Sequence, residues 1–103
     1  MNDDPNTTYA AIFAALGNAR RLEVFDALLA AGRGGHKFGA LASALGIPHS
    51  SLSHHVQELD KAGLLEREAQ GTSTILRLNL TVLAGALAHF QARCCAADPT
   101  ETR

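Results

Sequence analysis

The chain has 103 residues, a length for one domain, and 47% of them are hydrophobic, enough for one core and an interface. No run approaches the ~20 apolar residues that span a bilayer, and Asp3 and Asp4 stand where a signal peptide would carry Lys or Arg, so a cytoplasmic protein is expected. Nine Lys+Arg against ten Asp+Glu leave a net charge of −1, which excludes a uniformly basic nucleic-acid binder; a DNA surface here must gather its positive charge on one face.

In chain order, residues 1–6 are polar and read as a tail. Apolar residues at Tyr9, Ile12, Phe13 and Leu16 keep the spacing of one helical face. Gly17 interrupts, and Asn18 is a candidate N-cap for a second helix with Leu22, Phe25, Leu28 and Leu29 on one side and Arg20, Arg21 and Glu23 elsewhere. Gly32-Arg33-Gly34-Gly35 ends it in a turn. A third helix is predicted over Phe38 to Leu45, stopped by Gly46. Pro48 then marks the start of a fourth, running from about His49 to Ala62 with Leu52, Val56 and Leu59 inward. A hairpin follows: Leu65 to Glu68, a turn near Gln70-Gly71-Thr72, and an arm that alternates through Thr74, Leu76 and Leu78. Leu80 to Ala97 reads as the last helix, with Leu83, Leu87, Phe90 and Cys94 along one stripe, and Asp98-Pro99 closes it. Residues 98–103 read as a second tail. The order α-α-α-α-β-β-α makes the chain, 1–103, one mainly helical domain with a two-stranded wing.

Two helices that cross at about 90–120° need a small residue at the crossing and a turn former between them. Ala42, Gly46 and Leu52 meet that requirement as small contact, turn and plug. With Leu52, Val56 and Leu59 inward, the fourth helix turns Ser50, Ser53, His54 and Gln57 outward, with His55 beside them. These are neutral hydrogen-bonding side chains suited to base edges and phosphates in a major groove. A merely solvated face would carry more Lys, Glu and Arg; here the charges wait until Glu58, Asp60 and Lys61.

Those residues carry a resemblance to the ArsR-type metal- and metalloid-responsive repressors, over about residues 9–95. Ala15-Leu16-Gly17-Asn18-Ala19-Arg20-Arg21-Leu22 is similar to the family's opening of the second helix, with Arg21 at the family's arginine and Asn18-Ala19 in place of the usual Asp-Pro. Ser50-Ser51-Leu52-Ser53-His54-His55-Val56-Gln57-Glu58-Leu59 resembles its recognition-helix motif, and Ala62-Gly63-Leu64-Leu65 its exit. The resemblance implies a winged helix-turn-helix homodimer, joined through its first and last helices, that leaves its operator DNA when an inducer binds. Candidate DNA contacts are Ser50, Ser51, Ser53, His54, His55, Gln57 and Lys61. Where the family places a basic residue just after the wing's glycine, this chain has Thr72-Ser73-Thr74, which leaves Arg67 and Arg77 as substitutes or as solvated strand charges.

No resident cofactor is expected. The family's inducer sites include a Cys-x-Cys pair in the third helix and an Asp/His set along the last one. The third helix here has no cysteine, and the last holds one histidine, His89, and no acid. His89 reads as an interface or surface residue, and His36 and His49 as loop residues. What remains is Cys94-Cys95. Neighbouring Cα atoms lie about 3.8 Å apart, below the 4.4–6.8 Å of an ordinary disulfide, so the pair is no structural staple. Some arsenical-responsive members of the family carry such a pair in this helix, and the resemblance implies trivalent arsenic or antimony as its ligand. Arsenite prefers three thiolates and a methylated trivalent arsenical needs two, so the count leans towards methylarsenite, or towards arsenite with an incomplete or borrowed third ligand. Cys94 as a small core residue, a thiol redox sensor, and an inducer-less regulator or interaction module are the other readings. No base or oxyanion loop can be placed beside either cysteine, and Gly32-Arg33-Gly34-Gly35 lacks the phosphate-loop spacing and its Lys, so no enzyme is expected.

Overall fold

Asp4 opens the first helix, its carboxylate accepting a hydrogen bond from the Asn6 N–H (3.0 Å), with Pro5 at a position that needs no N–H. The structure, a computed structural model, describes residues 4–97, with side chains through Cys94. Helix α1 (Pro5–Leu16) thus starts four residues before the periodicity from Tyr9 suggests, and Pro5 and Asn6 belong to it rather than to a tail. Helix α2 (Ala19–Ala31) is capped as expected: the Asn18 side chain accepts from the Arg21 N–H at 2.9 Å. Its buried face differs from the expected one. Arg21, Val24, Phe25 and Leu28 point inward, while Leu22 and Leu29 are 46% and 44% exposed. The inner stripe is 21-24-25-28, one residue round the helix from the apolar reading, because an arginine occupies a core-facing position.

A 3₁₀ turn, Gly32–Gly34, leads into a strand the sequence did not suggest, β1 (His36–Lys37), so His36 lies in a strand rather than a loop. Gly35 has φ +75°, and a Cβ there would meet the Leu76 carbonyl oxygen at 2.6 Å, so only glycine lets the turn lie against the sheet. Helices α3 (Phe38–Leu45) and α4 (His49–Lys61) keep their expected bounds to within a residue. Strands β2 (Leu65–Gln70) and β3 (Ser73–Leu78) meet at Gly71-Thr72; a positive φ at Gly71 alone matches a type II′ hairpin. The antiparallel sheet has the order β1-β3-β2, with His36 opposite Leu76 and Leu65 opposite Leu78. Central β3 buries both Ile75 and Leu76: Leu76 joins the main core, and Ile75 is enclosed near the Gly35 turn.

The core joins Ile12, Leu28, Leu41, Leu52, Leu59, Leu64 and Leu76 from every layer before α5. Helix α5 (Thr81–Ala97), started by the Asn79 side chain accepting from the Thr81 N–H (3.1 Å), adds buried Ala86, with Val82 and Leu83 packed against that core. Leu87 and Phe90 stay 53% and 44% exposed. No described helix is long and apolar enough to cross a membrane.

Candidate nucleic-acid interface

Helix α3 ends because Gly46 takes the left-handed conformation (φ +65°, ψ +36°), returning its N–H to Ser43 and the Ile47 N–H to Ala42. Pro48 then holds extended backbone and starts α4. Ala42 is buried at the crossing, and Leu52, Val56 and Leu59 lock α4 onto the core. Packing therefore fixes which way α4 faces. Ser50, Ser53, His54 and Gln57 are exposed together on its other side, and Ser51 is half-buried at the edge.

His55 is less free than its neighbours. Its ring is half-buried, its Nδ1 is enclosed with no hydrogen-bond partner, and it lies 5.7 Å from the His54 ring. Burial, and then the Arg21, His54 and Arg20 charges, lower its pKa from the ordinary 6.5. It is neutral at pH 7, so the reading face presents two neighbouring rings of which the inner one carries no charge.

Pro48 offers no side-chain cap, so the first N–H groups of α4 remain open, the arrangement that accepts a phosphate at a helix start. Phe38 meets the His49 ring edge-on at 5.4 Å, which sets the starts of α3 and α4 side by side. Lys37, directly before α3, is exposed and forms no ion pair among the described residues. Sequence reasoning passed it over, because its position beside the reading helix comes from the fold; the only linear signal was a lone cation between Gly35 and α3.

The three cations that sequence reasoning did choose are engaged inside the chain. Lys61 Nζ is 3.2 Å from Glu58, and Arg67 pairs with Asp60 at 3.2 Å, tying β2 to the end of α4. Arg77 pairs with Glu68, and its Nε donates to the Arg33 carbonyl (2.9 Å), fastening β3 to the 3₁₀ turn. Each would have to leave a carboxylate to meet a phosphate. The hairpin tip, Gln70-Gly71-Thr72, is exposed and uncharged.

Cys94 is exposed near the end of α5, so it is not core filler of this chain. The backbone of Cys95 continues the helix, and its side chain lies outside the described residues, as does Asp98-Pro99. Among the described residues no three His, Cys, Asp or Glu side chains gather in a metal-binding group. His89 is half-buried, its ring 4.9 Å from Tyr9. A cavity of about 730 Å³ at the foot of α5, lined by Leu28, Leu78 and Leu80 among others, touches no residue of α4.

A model of the helix-turn-helix domain family matches residues 16–68, just over half of the chain and all of α2 to α4. The chain belongs to the helix-turn-helix domain family. Solved structures match beyond that stretch, over most of the chain. An ArsR-like transcriptional regulator from Rhodococcus sp. RHA1 is similar over 93% of this chain and 94% of its own, at 23% identity and a TM-score of 0.70. A homodimeric winged helix-turn-helix DNA-binding domain from Mycobacterium bovis, described as a possible ArsR-family transcriptional regulator, covers 92% and 89% at 25% identity and TM-score 0.67. The antimony-specific transcriptional repressor AntR covers 91% and 80% at 24% identity and TM-score 0.62. No curated protein sequence matches. The fold is the winged helix-turn-helix of these ArsR-like regulators, and the protein is a DNA-binding transcriptional regulator rather than an enzyme.

Proposed function

We propose that the protein is a cytoplasmic homodimeric repressor that reads its operator with α4 and leaves it when a trivalent arsenical or antimonial bonds Cys94 and Cys95. The observation that carries the first half is the division of α4: Leu52, Val56 and Leu59 are buried, while Ser50, Ser53, His54 and Gln57 stand free on the opposite side beside an open helix start. Base contacts come from Ser53, His54 and Gln57. Ser50, Ser51 and Lys37 take phosphates, and His55 supports His54 from within. Lys61, Arg67 and Arg77 add phosphate contacts only by exchanging a carboxylate.

The dimer rests on α1 and α5. Tyr9 and Phe13 meet Phe90 at ring distances of 5.5 and 5.8 Å within one chain, rather than across a two-fold axis, yet Phe13, Leu87 and Phe90 keep large exposed surfaces. A second copy covering them buries apolar area that α5 alone leaves in water. The Mycobacterium bovis neighbour is itself homodimeric.

The inducer half is supported by the exposed Cys94 beside Cys95. A methylarsenous acid would form two As–S bonds, each thiol proton leaving with a hydroxide as water, and no electron is transferred. Adjacent helical residues diverge by about 100°, so chelation must distort the last turn of α5, and that distortion at a dimer helix is the release step. AntR, a fold neighbour, is an antimony-specific repressor. The test is fluorescence anisotropy on promoter DNA under reducing conditions. Methylarsenite should release wild type at lower concentration than arsenite, and Cys94→Ser and Cys95→Ser should bind DNA yet fail to release it. Release of both variants at wild-type doses rejects the cysteines; release only under oxidant assigns a thiol redox sensor.

A further inference from the structure

Arg21 is the one charged residue in the buried set of the described chain, only 9% exposed. One of its terminal N–H groups donates to the Ala15 carbonyl at 3.1 Å, a free carbonyl in the last turn of α1, where a cation is also favoured by the helix dipole. Its Nε is enclosed with no partner, and Arg21 forms no ion pair with any described residue. Glu58, the acid that shares a cavity wall with Arg21, is paired with Lys61. Its carboxyl is held below the usual range first by the hydrogen bond from Lys61, then by the Lys61 charge, and only last by Arg21. A buried guanidinium without a carboxylate is an unfavourable arrangement unless an anion completes it.

Space for one lies alongside. Arg21 lines a cavity of about 280 Å³ between α1 and α4, whose other walls include Ala11 and Ala14 of α1 and Lys61 and Glu58 of α4. The alanines make the hollow by having no side chain to fill it. With two cations against one carboxylate its walls are net positive, and its volume is at the low end of small-molecule sites. We propose that this cavity binds a small free oxyanion, phosphate-like or a short carboxylate, held between Arg21 and Lys61. The site joins the helix assigned to dimer contact to the helix assigned to DNA reading, and Lys61 reaches an anion there only by exchanging Glu58, as it would for a DNA phosphate.

The experiment is thermal unfolding of the intact protein with inorganic phosphate or acetate, each against sodium chloride at equal ionic strength. A saturable rise in Tm of several degrees beyond chloride is expected, since a ligand of the native state alone raises its stability. Ala14→Leu fills the hollow without touching a charge and should abolish the response. Lys61→Met should move its midpoint to about tenfold higher anion, the loss expected for one hydrogen bond between charged groups. Arg21→Gln should abolish it as well, and the two surface variants stand if that one does not fold. A wild type that responds no more than to chloride, or an Ala14→Leu protein that responds like wild type, overturns the proposal. A phosphate of the DNA backbone has the same chemistry, so the titration is repeated with saturating promoter duplex. An unchanged midpoint supports a free anion, and a midpoint driven upward by duplex assigns the cavity to DNA and overturns it.

Discussion

Helices α4 and α5 both carry apolar residues at helical spacing, yet one resolves its pattern inside the chain and the other does not. In α4 all three stripe residues, Leu52, Val56 and Leu59, are at most 2% exposed, and its polar side is cleanly separated. In α5 the stripe Leu83, Leu87, Phe90, Cys94 is half-buried at its start and open from Leu87 onward, and among the described side chains of the helix only Ala86 is buried. The same periodicity thus marks a self-sufficient core helix in one place and an unfinished surface in the other. The difference teaches that spacing shows where an apolar face lies, and only the fold shows whether the chain itself covers it.

The sharpest way to break that contrast is to exchange the roles of the two stripes. Leu52→Ala should cost about 2–5 kcal/mol of stability in denaturant unfolding, because the cavity opens at the centre of the core. Leu87→Glu should leave the isolated fold intact by circular dichroism, yet sediment as a monomer at concentrations where wild type is a dimer. A Leu87→Glu protein that stays dimeric would place the interface elsewhere, and a Leu52→Ala protein of wild-type stability would mean that α4 is not anchored as described.

A smaller effect sharpens the reading end. Lys37→Ala should weaken binding about equally on all DNA sequences and lower the salt dependence by about one counterion in a salt titration. Altered sequence preference instead would make Lys37 a base contact.

The smallest effect concerns His55. Its folded pKa lies below the unfolded value near 6.5, so the unfolded chain takes up the proton first. The stability due to neutral His55 is complete above pH 6.5, and it is lost as pH falls through 6.5 towards the lowered folded pKa. His55→Gln should flatten that part of the stability-versus-pH curve measured in urea.

The helix-turn-helix was legible because its punctuation is local: Gly46 for the left-handed stop, Pro48 for the start of α4, Asn18 for the cap of α2. The early start of α1 was available too, in Asp4-Pro5, but the apolar period masked it. Arg21 could not be read as buried, since its position depends on the end of α1 folding back over it. Strand β1 is two residues long and exists only through its pairing with β3. At the site, the outward residues of α4 follow from helical period alone. The ion pairs of Arg67 with Asp60 and Arg77 with Glu68 arise only when the hairpin closes against α4 and on itself, which no linear spacing announces.

The central claim is that the exposed side of α4 reads DNA, and fluorescence anisotropy of a Ser53→Ala, His54→Ala double variant on the promoter duplex upstream of its gene tests it most directly. Neither residue touches the Leu52-Val56-Leu59 anchor, so unfolding should match wild type. Specific affinity should fall by about 1–3 kcal/mol for each good hydrogen bond to a base that the variant can no longer make, while affinity for unrelated duplex stays the same. Undiminished affinity for the promoter duplex in a folded double variant would contradict the assignment of α4 and place the reading surface elsewhere.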